Sequence, residues 1–305
     1  MPASLRRTVP WICAGLLGSL GLIFPAQASA FAPFFFLASA IVLGVPHGAC
    51  DPWVPGWVRQ TPSRLSFLAC FFLLYLLLSF LYLLVWKAAP FGATVFFLFL
   101  TAWHWGTADA SLLYPPGLRW LCFGLGRGLW VMLGPFAFHT FEAWHVVHLM
   151  APDAGPCPSS VLFQGLLILP LLLTLAARPE KMEWVETSLL LLLLALTPPL
   201  VGVGTYFVAF HAWRHLLRLA EIRDRPNPHS APSVWLKSLG RLLLFAVPLT
   251  VATLLLFPLL PRFLGLHPSN QEEWVGSYLT LLAVLTLPHA MLVGWMDWKF
   301  LSLRR

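Results

Sequence analysis

The run Phe67-Leu68-Ala69-Cys70-Phe71-Phe72-Leu73-Leu74-Tyr75-Leu76-Leu77-Leu78-Ser79-Phe80-Leu81-Tyr82-Leu83-Leu84-Val85-Trp86 carries no charge. As a helix rising about 1.5 Å per residue it reaches roughly 30 Å, the depth of a bilayer's hydrocarbon core. Nothing in water would cover it. Ser188–Ala195, with six consecutive leucines, has the same character. The 305-residue chain is 59% hydrophobic and 10% charged, and its mean hydropathy is +0.78. A soluble domain averages about a quarter charged residues. The expected fold is therefore an all-α polytopic membrane helix bundle, a single integral membrane domain over residues 1–305.

Ten apolar segments are expected to be helical: 9–26, 30–48, 65–86, 91–107, 117–137, 160–177, 184–200, 203–220, 236–258 and 274–298. Some are short or contain proline, which leaves eight or nine spans as alternatives to ten. Between them, 138–159 and 221–235 read as the longest polar loops. Residues 1–30 combine Arg6-Arg7, an apolar run and small residues, so they resemble a signal peptide as well as a first transmembrane helix. With that helix retained, Arg59, Arg64, Arg178, Lys181, Arg218, Arg223, Arg225, Lys299, Arg304 and Arg305 fall on the side of the N-terminus. The other side holds only Lys87 and Arg262. By the positive-inside rule both termini are cytoplasmic, in a multi-pass protein of the cell inner membrane. The net charge of +7 sits in these short loops, and no nucleic-acid partner is implied. The five cysteines show no CxxC spacing and read as free thiols.

This topology sorts the ten histidines by depth. His47 ends the second segment, His104 ends the fourth, His211 and His215 lie in the eighth, and His289 lies in the tenth. All five fall toward the inner face at a similar level. His139, His145, His148 and His267 belong to outer loops, and His229 to a solvated inner loop. Strongly polar groups inside a bilayer need partners, and five imidazoles at one depth can share a metal. His211 and His215 are four apart, which on a helix sets their Cβ atoms roughly 6 Å apart on one face, a spacing that grips a single ion.

Metal-bound imidazole usually gives its second N–H to a carboxylate or carbonyl. Asp51 and Asp109 each follow a histidine closely and are candidates for that role, with helix capping as the alternative. Pro46 and Pro288 interrupt helical hydrogen bonding beside His47 and His289. Arg214 points away from the paired histidines as a snorkelling or ion-paired cation. Trp103, Trp105, Phe210 and Trp213 are candidate walls for an apolar substrate.

Neutral imidazole suits iron, copper, zinc and nickel. An all-histidine set in a lipid-embedded bundle suggests a lipid-soluble substrate and a non-haem Fe(2+) with positions open to O2. Two other readings stand beside it: a haem-binding membrane electron carrier, and a histidine-lined transporter or proton channel. A di-iron desaturase would want about eight histidines in HxxxH and HxxHH clusters, and only 211/215 has that form.

The blocks GVPHGACD (44–51), AWHWGTAD (102–109), FHAWRH (210–215) and TLPHAML (286–292) resemble those of the Brp/Blh family of membrane β-carotene 15,15′-dioxygenases. The likeness runs from about residue 35 to the end. It implies cleavage of β-carotene by O2 into two retinals, a non-haem Fe(2+) cofactor, and a retinal-accepting rhodopsin as a partner. By motif it makes His47, His104, His211 and His215 the metal ligands. His289 matches a block whose role the resemblance leaves to the surroundings of the metal or the substrate wall. Val45, Cys50 and Trp105 depart from the pattern and bear on pocket shape.

Overall fold

A run of leucine and phenylalanine is stable in lipid only when every backbone polar group is bonded within its own helix, and helix is the secondary structure found. The computed structural model describes residues 3–62, 64–227 and 230–302. His229, expected to be solvated, and Arg304 and Arg305, expected inside, lie outside the described residues. No strand occurs among those described.

The helices are α1 (Ala3–Ile23), α2 (Pro25–Ser39), α3 (Val45–Gly48), α4 (Val54–Arg59), α5 (Leu65–Ala88), α6 (Pro90–Ala110), α7 (Leu118–Phe138), α8 (Thr140–Met150), α9 (Ser160–Leu166), α10 (Ile168–Ala177), α11 (Lys181–Leu196), α12 (Pro199–Thr205), α13 (Trp213–Asp224), α14 (Pro232–Leu256), α15 (Leu259–Leu264) and α16 (Gln271–Ser302). Two π-helical turns interrupt them, Ala40–Gly44 before α3 and Tyr206–Ala212 before α13. Proline opens α2, α6, α12 and α14, where its missing N–H has no helical partner to lose.

All ten expected segments are helical. Six runs are long and apolar enough to cross a membrane: Pro25–Arg59, Leu65–Ala88, Leu118–Phe138, Ser160–Ala177, Pro232–Leu256 and Gln271–Lys299. Ten was thus more than length and hydropathy deliver. The four that fall short are α1, α6, α11 and the α12–α13 run. α11 is 16 residues long and too short, while the others carry Arg6, Arg7, His104, Asp109, His211, Arg214 and His215, so their polar residues lower their hydropathy. Two further expectations change. Residues 138–159 are not simply a loop, because α8 occupies half of them. The 160–177 segment is two helices that meet at Leu167.

The lipid face is plain on α5, where Leu65, Leu73, Leu74, Leu76 and Leu77 are all exposed. Contiguous apolar surface of this kind is foreign to a soluble monomer. Inside, α6 and α7 pack through small residues. A Cβ added at Gly106 would collide with the Gly124 carbonyl, and one at Gly128 with the Ala102 backbone. Ala102-x-x-x-Gly106 therefore faces Gly124-x-x-x-Gly128, a pairing that lets membrane helices approach closely. His104 sits between Ala102 and Gly106, so this contact fixes its position. The N-terminal helix is tied into the same body: Arg7 ion-pairs with Glu183 at 2.7 Å and Trp11 donates to Glu186 at 3.0 Å.

Candidate metal centre

Two of the four histidine-bearing segments depart from α geometry at the histidine. The π-turn Ala40–Gly44 leads into Val45-Pro46-His47, and the π-turn Tyr206–Ala212 contains His211. A π-turn inserts a residue into the helical repeat, a device common at functional sites. Around His47 it is joined by Pro46, which has no N–H to give the preceding turn. The Leu43 carbonyl accepts from His47 Nδ1 at 3.2 Å, which leaves Nε2 as the lone-pair nitrogen. His211 and His215 follow with rings nearly parallel, 10° apart in plane and 6.3 Å between centroids.

All five histidines of the inner band meet. His47 lies 5.5 Å from His211, 5.8 Å from His215 and 4.9 Å from His289, centroid to centroid. His104 lies 4.7 Å from His211 and 5.0 Å from His289, and His215 lies 5.3 Å from His289. Each is buried. Nitrogens of His47, His211 and His289 all lie within 4.8 Å of one another. Among the described residues, Nε2 of His104, His211 and His289 and both ring nitrogens of His215 have no hydrogen-bond partner. Buried polar atoms left without partners are costly. Several imidazole nitrogens left bare on one small volume fit a transition metal as the group that satisfies them.

The carboxylates are arranged otherwise than their sequence positions suggest. Asp51 serves His289, not the nearer His47: its Oδ2 accepts from His289 Nδ1 at 2.8 Å. Tyr75 Oη lies 3.0 Å from the same oxygen and 3.2 Å from the Leu285 carbonyl. This carboxylate–imidazole pair holds His289 with Nε2 toward the other histidines, the arrangement typical of metal-bound histidine. Asp109 has no contact with His104. Its Oδ2 takes Arg214 at 2.9 Å, Arg127 at 3.3 Å and the Tyr206 hydroxyl at 2.9 Å. Glu186 completes the set, pairing with Arg214 at 2.7 Å and with Arg127. Two arginines and two carboxylates thus neutralise one another beside His211 and His215, and Arg214 is an ion-paired cation. Arg218 pairs with Asp297 nearby. Arg127 and Glu186 were missed from sequence. The available signal was an arginine in the middle of the apolar run that became α7, since an intramembrane charge demands a partner.

Of the four candidate aromatics, Trp105 alone lies at the histidines, stacked on His211 at 5.4 Å and on Phe207 at 5.5 Å. Trp103 is half-exposed and packs on Trp120. Trp213 turns its Nε1 to the Leu5 carbonyl. Phe210 is fully buried, stacked on Tyr206 with the Arg214 guanidinium 5.2 Å from its ring. The remaining histidines are engaged elsewhere. His139 faces the Ala195 carbonyl, His145 faces Glu272 and His148 faces the Trp144 carbonyl, while His267 is exposed.

A cavity of about 150 Å³ rests on His47, His104, His211 and His289. Its other walls are largely apolar and include Phe72 and Leu76 of α5, Leu249 of α14 and Leu282 of α16, with Asp51, Tyr75, Thr101, Thr253 and Thr286 as polar exceptions. Leu76 is 58% exposed, so the cavity reaches the lipid-facing side of α5. Such a space admits a greasy molecule and shields the imidazoles from water.

Comparison with known proteins agrees with this chemistry. Residues 38–297 match the profile of the family described as beta-carotene 15,15′-dioxygenase. A relative from Halobacterium salinarum, named a probable beta-carotene 15,15′-dioxygenase Blh, is 31% identical over 97% of this chain and 95% of its own length. A beta-carotene 15,15′-dioxygenase from the uncultured marine bacterium 66A03 is 25% identical over 84% of this chain and 91% of its own. No solved structure matches. With a profile match that spans all five inner histidines and a relative alike over nearly the whole length, this chain belongs to the beta-carotene 15,15′-dioxygenase family.

Proposed function

We propose that this protein cleaves the central 15,15′ double bond of β-carotene, or of a related carotenoid, with O2 to give two retinals, using a non-haem Fe(II). The observation that carries the reading is the cluster of buried imidazoles with unspent nitrogens at the floor of an apolar cavity reaching the lipid face. His47, His104, His211 and His215 would hold the ion, and His289 is a fifth imidazole beside them. The crowded edge-to-face packing of these rings leaves no slot for a macrocycle, which argues against haem.

Bound there, Fe(II) supplies the redox centre at which O2 is activated. The chain does the rest. Asp51 holds the Nδ1 proton of His289 and so turns its Nε2 lone pair inward. The Leu43 carbonyl does the same for His47. Trp105 stacked on His211 fixes the plane of that ring. The apolar walls hold the polyene dry beside the imidazoles. The stoichiometry balances without further reagents: one C=C and one O=O bond break, two C=O bonds form, and no proton or outside electron is needed. Both termini are cytoplasmic in an inner-membrane protein, and the released retinal is available in the bilayer to a retinal-accepting rhodopsin.

The test is expression in cells that accumulate β-carotene, with pigment and retinal followed by chromatography. Bleaching with retinal as the product is expected. Unchanged pigment beside an iron-loaded, folded protein would sink the reading.

A further inference from the structure

Along a conjugated chain the double bonds are chemically alike, so an enzyme finds the central one only by measuring from an end. A rigid rod is measured by how far one end can travel. We propose that the buried chamber behind Trp105 seats one half of the polyene, and that its far wall sets which bond stops at the histidines. The proposal rests on the carotenoid-cleavage reading above.

The chamber has a cavity volume of about 90 Å³ and adjoins the histidine cavity through a shared partition of Phe97, Thr101, Trp105, Phe207 and Leu282. The metal-binding rings stand at that partition: His211 stacks on Trp105, and His47 meets Phe207 edge-on at 5.5 Å. The histidine cavity has its mouth at exposed Leu76, whereas no residue lining the chamber is exposed. Its walls include Met132, Phe136, Ala143 and Val147, all apolar and buried. The two spaces thus share one wall, with the imidazoles on the histidine-cavity side of it and a chamber lined by buried and part-buried residues on the other. A long apolar molecule entering from the α5 side reaches the histidines near its middle only if its leading half has somewhere to go, and the chamber is that place.

The far wall is Val146, Pro199 and Leu200. These residues also line a separate, more polar hollow with Glu142, His145 and Glu272. An apolar ring end stops at such a boundary, because going further exposes it to charge. At the partition, the Thr101 hydroxyl is buried and without a partner among the described residues.

The experiment fills the chamber. Ala143→Phe and Val147→Phe are made singly in the full-length membrane protein, and iron content and monodispersity are checked. Each is assayed with β-carotene and with an apocarotenal shortened on one side. Either variant is expected to lose β-carotene turnover at least tenfold or to yield an aldehyde longer than retinal. The shortened substrate is expected to retain cleavage close to wild type. A folded, iron-loaded pair of variants that still turns β-carotene only into retinal at the wild-type rate would overturn the proposal. So would equal loss on both substrates. If the wild type cleaves neither substrate, the carotenoid reading itself fails, an outcome distinct from failure of the chamber.

Discussion

Single residues show how an intramembrane site is satisfied. His104, His211, His215 and His289 each have a buried ring nitrogen without a partner among the described residues, while His47 and His289 each commit one nitrogen, to a carbonyl and a carboxylate respectively. Replacing His211 or His215 by alanine is expected to abolish iron binding, measured as iron per polypeptide after purification. Asp51→Asn is expected to weaken iron roughly 10–100-fold, because the amide no longer fixes the His289 tautomer, with helicity by circular dichroism unchanged. Iron affinity equal to wild type in that variant would show that the Asp51–His289 pair plays no part in holding the metal. His145→Ala, paired with Glu272 far from the centre, is expected to leave iron content alone.

At the scale of elements, position depends on how closely helices approach and where they stop being α. The α6–α7 contact is set by glycine at 106, 124 and 128. Gly128→Leu forces α7 away from Ala102 and is expected to cost about 3 kcal/mol, the upper end for overpacking a filled interior. Thermal unfolding in detergent checks this, and His104 should shift enough to lower iron occupancy as well. The helices were visible in sequence because leucine runs and proline starts are local signals. The π-turns were not, since they arise when two ends of a helix are each held in register by tertiary contacts. The i,i+4 spacing of His211 and His215 thus found the pair without revealing the π-turn that presents it.

Across the whole molecule, the Asp109–Arg127–Glu186–Arg214 network links α6, α7, α11 and α13, and Trp11 joins α1 to it. Breaking a buried ion pair from one side strands a charge at a cost of about 3–5 kcal/mol. Arg127→Met is therefore expected to lower stability by that amount, read from the same unfolding assay, although residue 127 touches no histidine ring. Topology has its own test. A fluorescent fusion at the C-terminus is expected to glow, and a periplasm-dependent phosphatase placed within 138–159 is expected to be active, as the arginine distribution requires.

By itself the sequence determined the environment and the inventory. Leucine-rich runs fix a helical membrane bundle, since lipid permits no unpaired backbone, and the placement of histidines along those runs groups the five that the fold brings together. Those properties depend only on neighbours along the chain. Tertiary structure decided the pairing: Asp51 with His289, Asp109 with two arginines, Trp105 alone among four aromatics at the site, and an enclosed chamber behind it. Such choices follow from the rotation and separation of helices far apart in sequence. A one-residue π insertion or a glycine contact changes them while leaving hydropathy almost untouched.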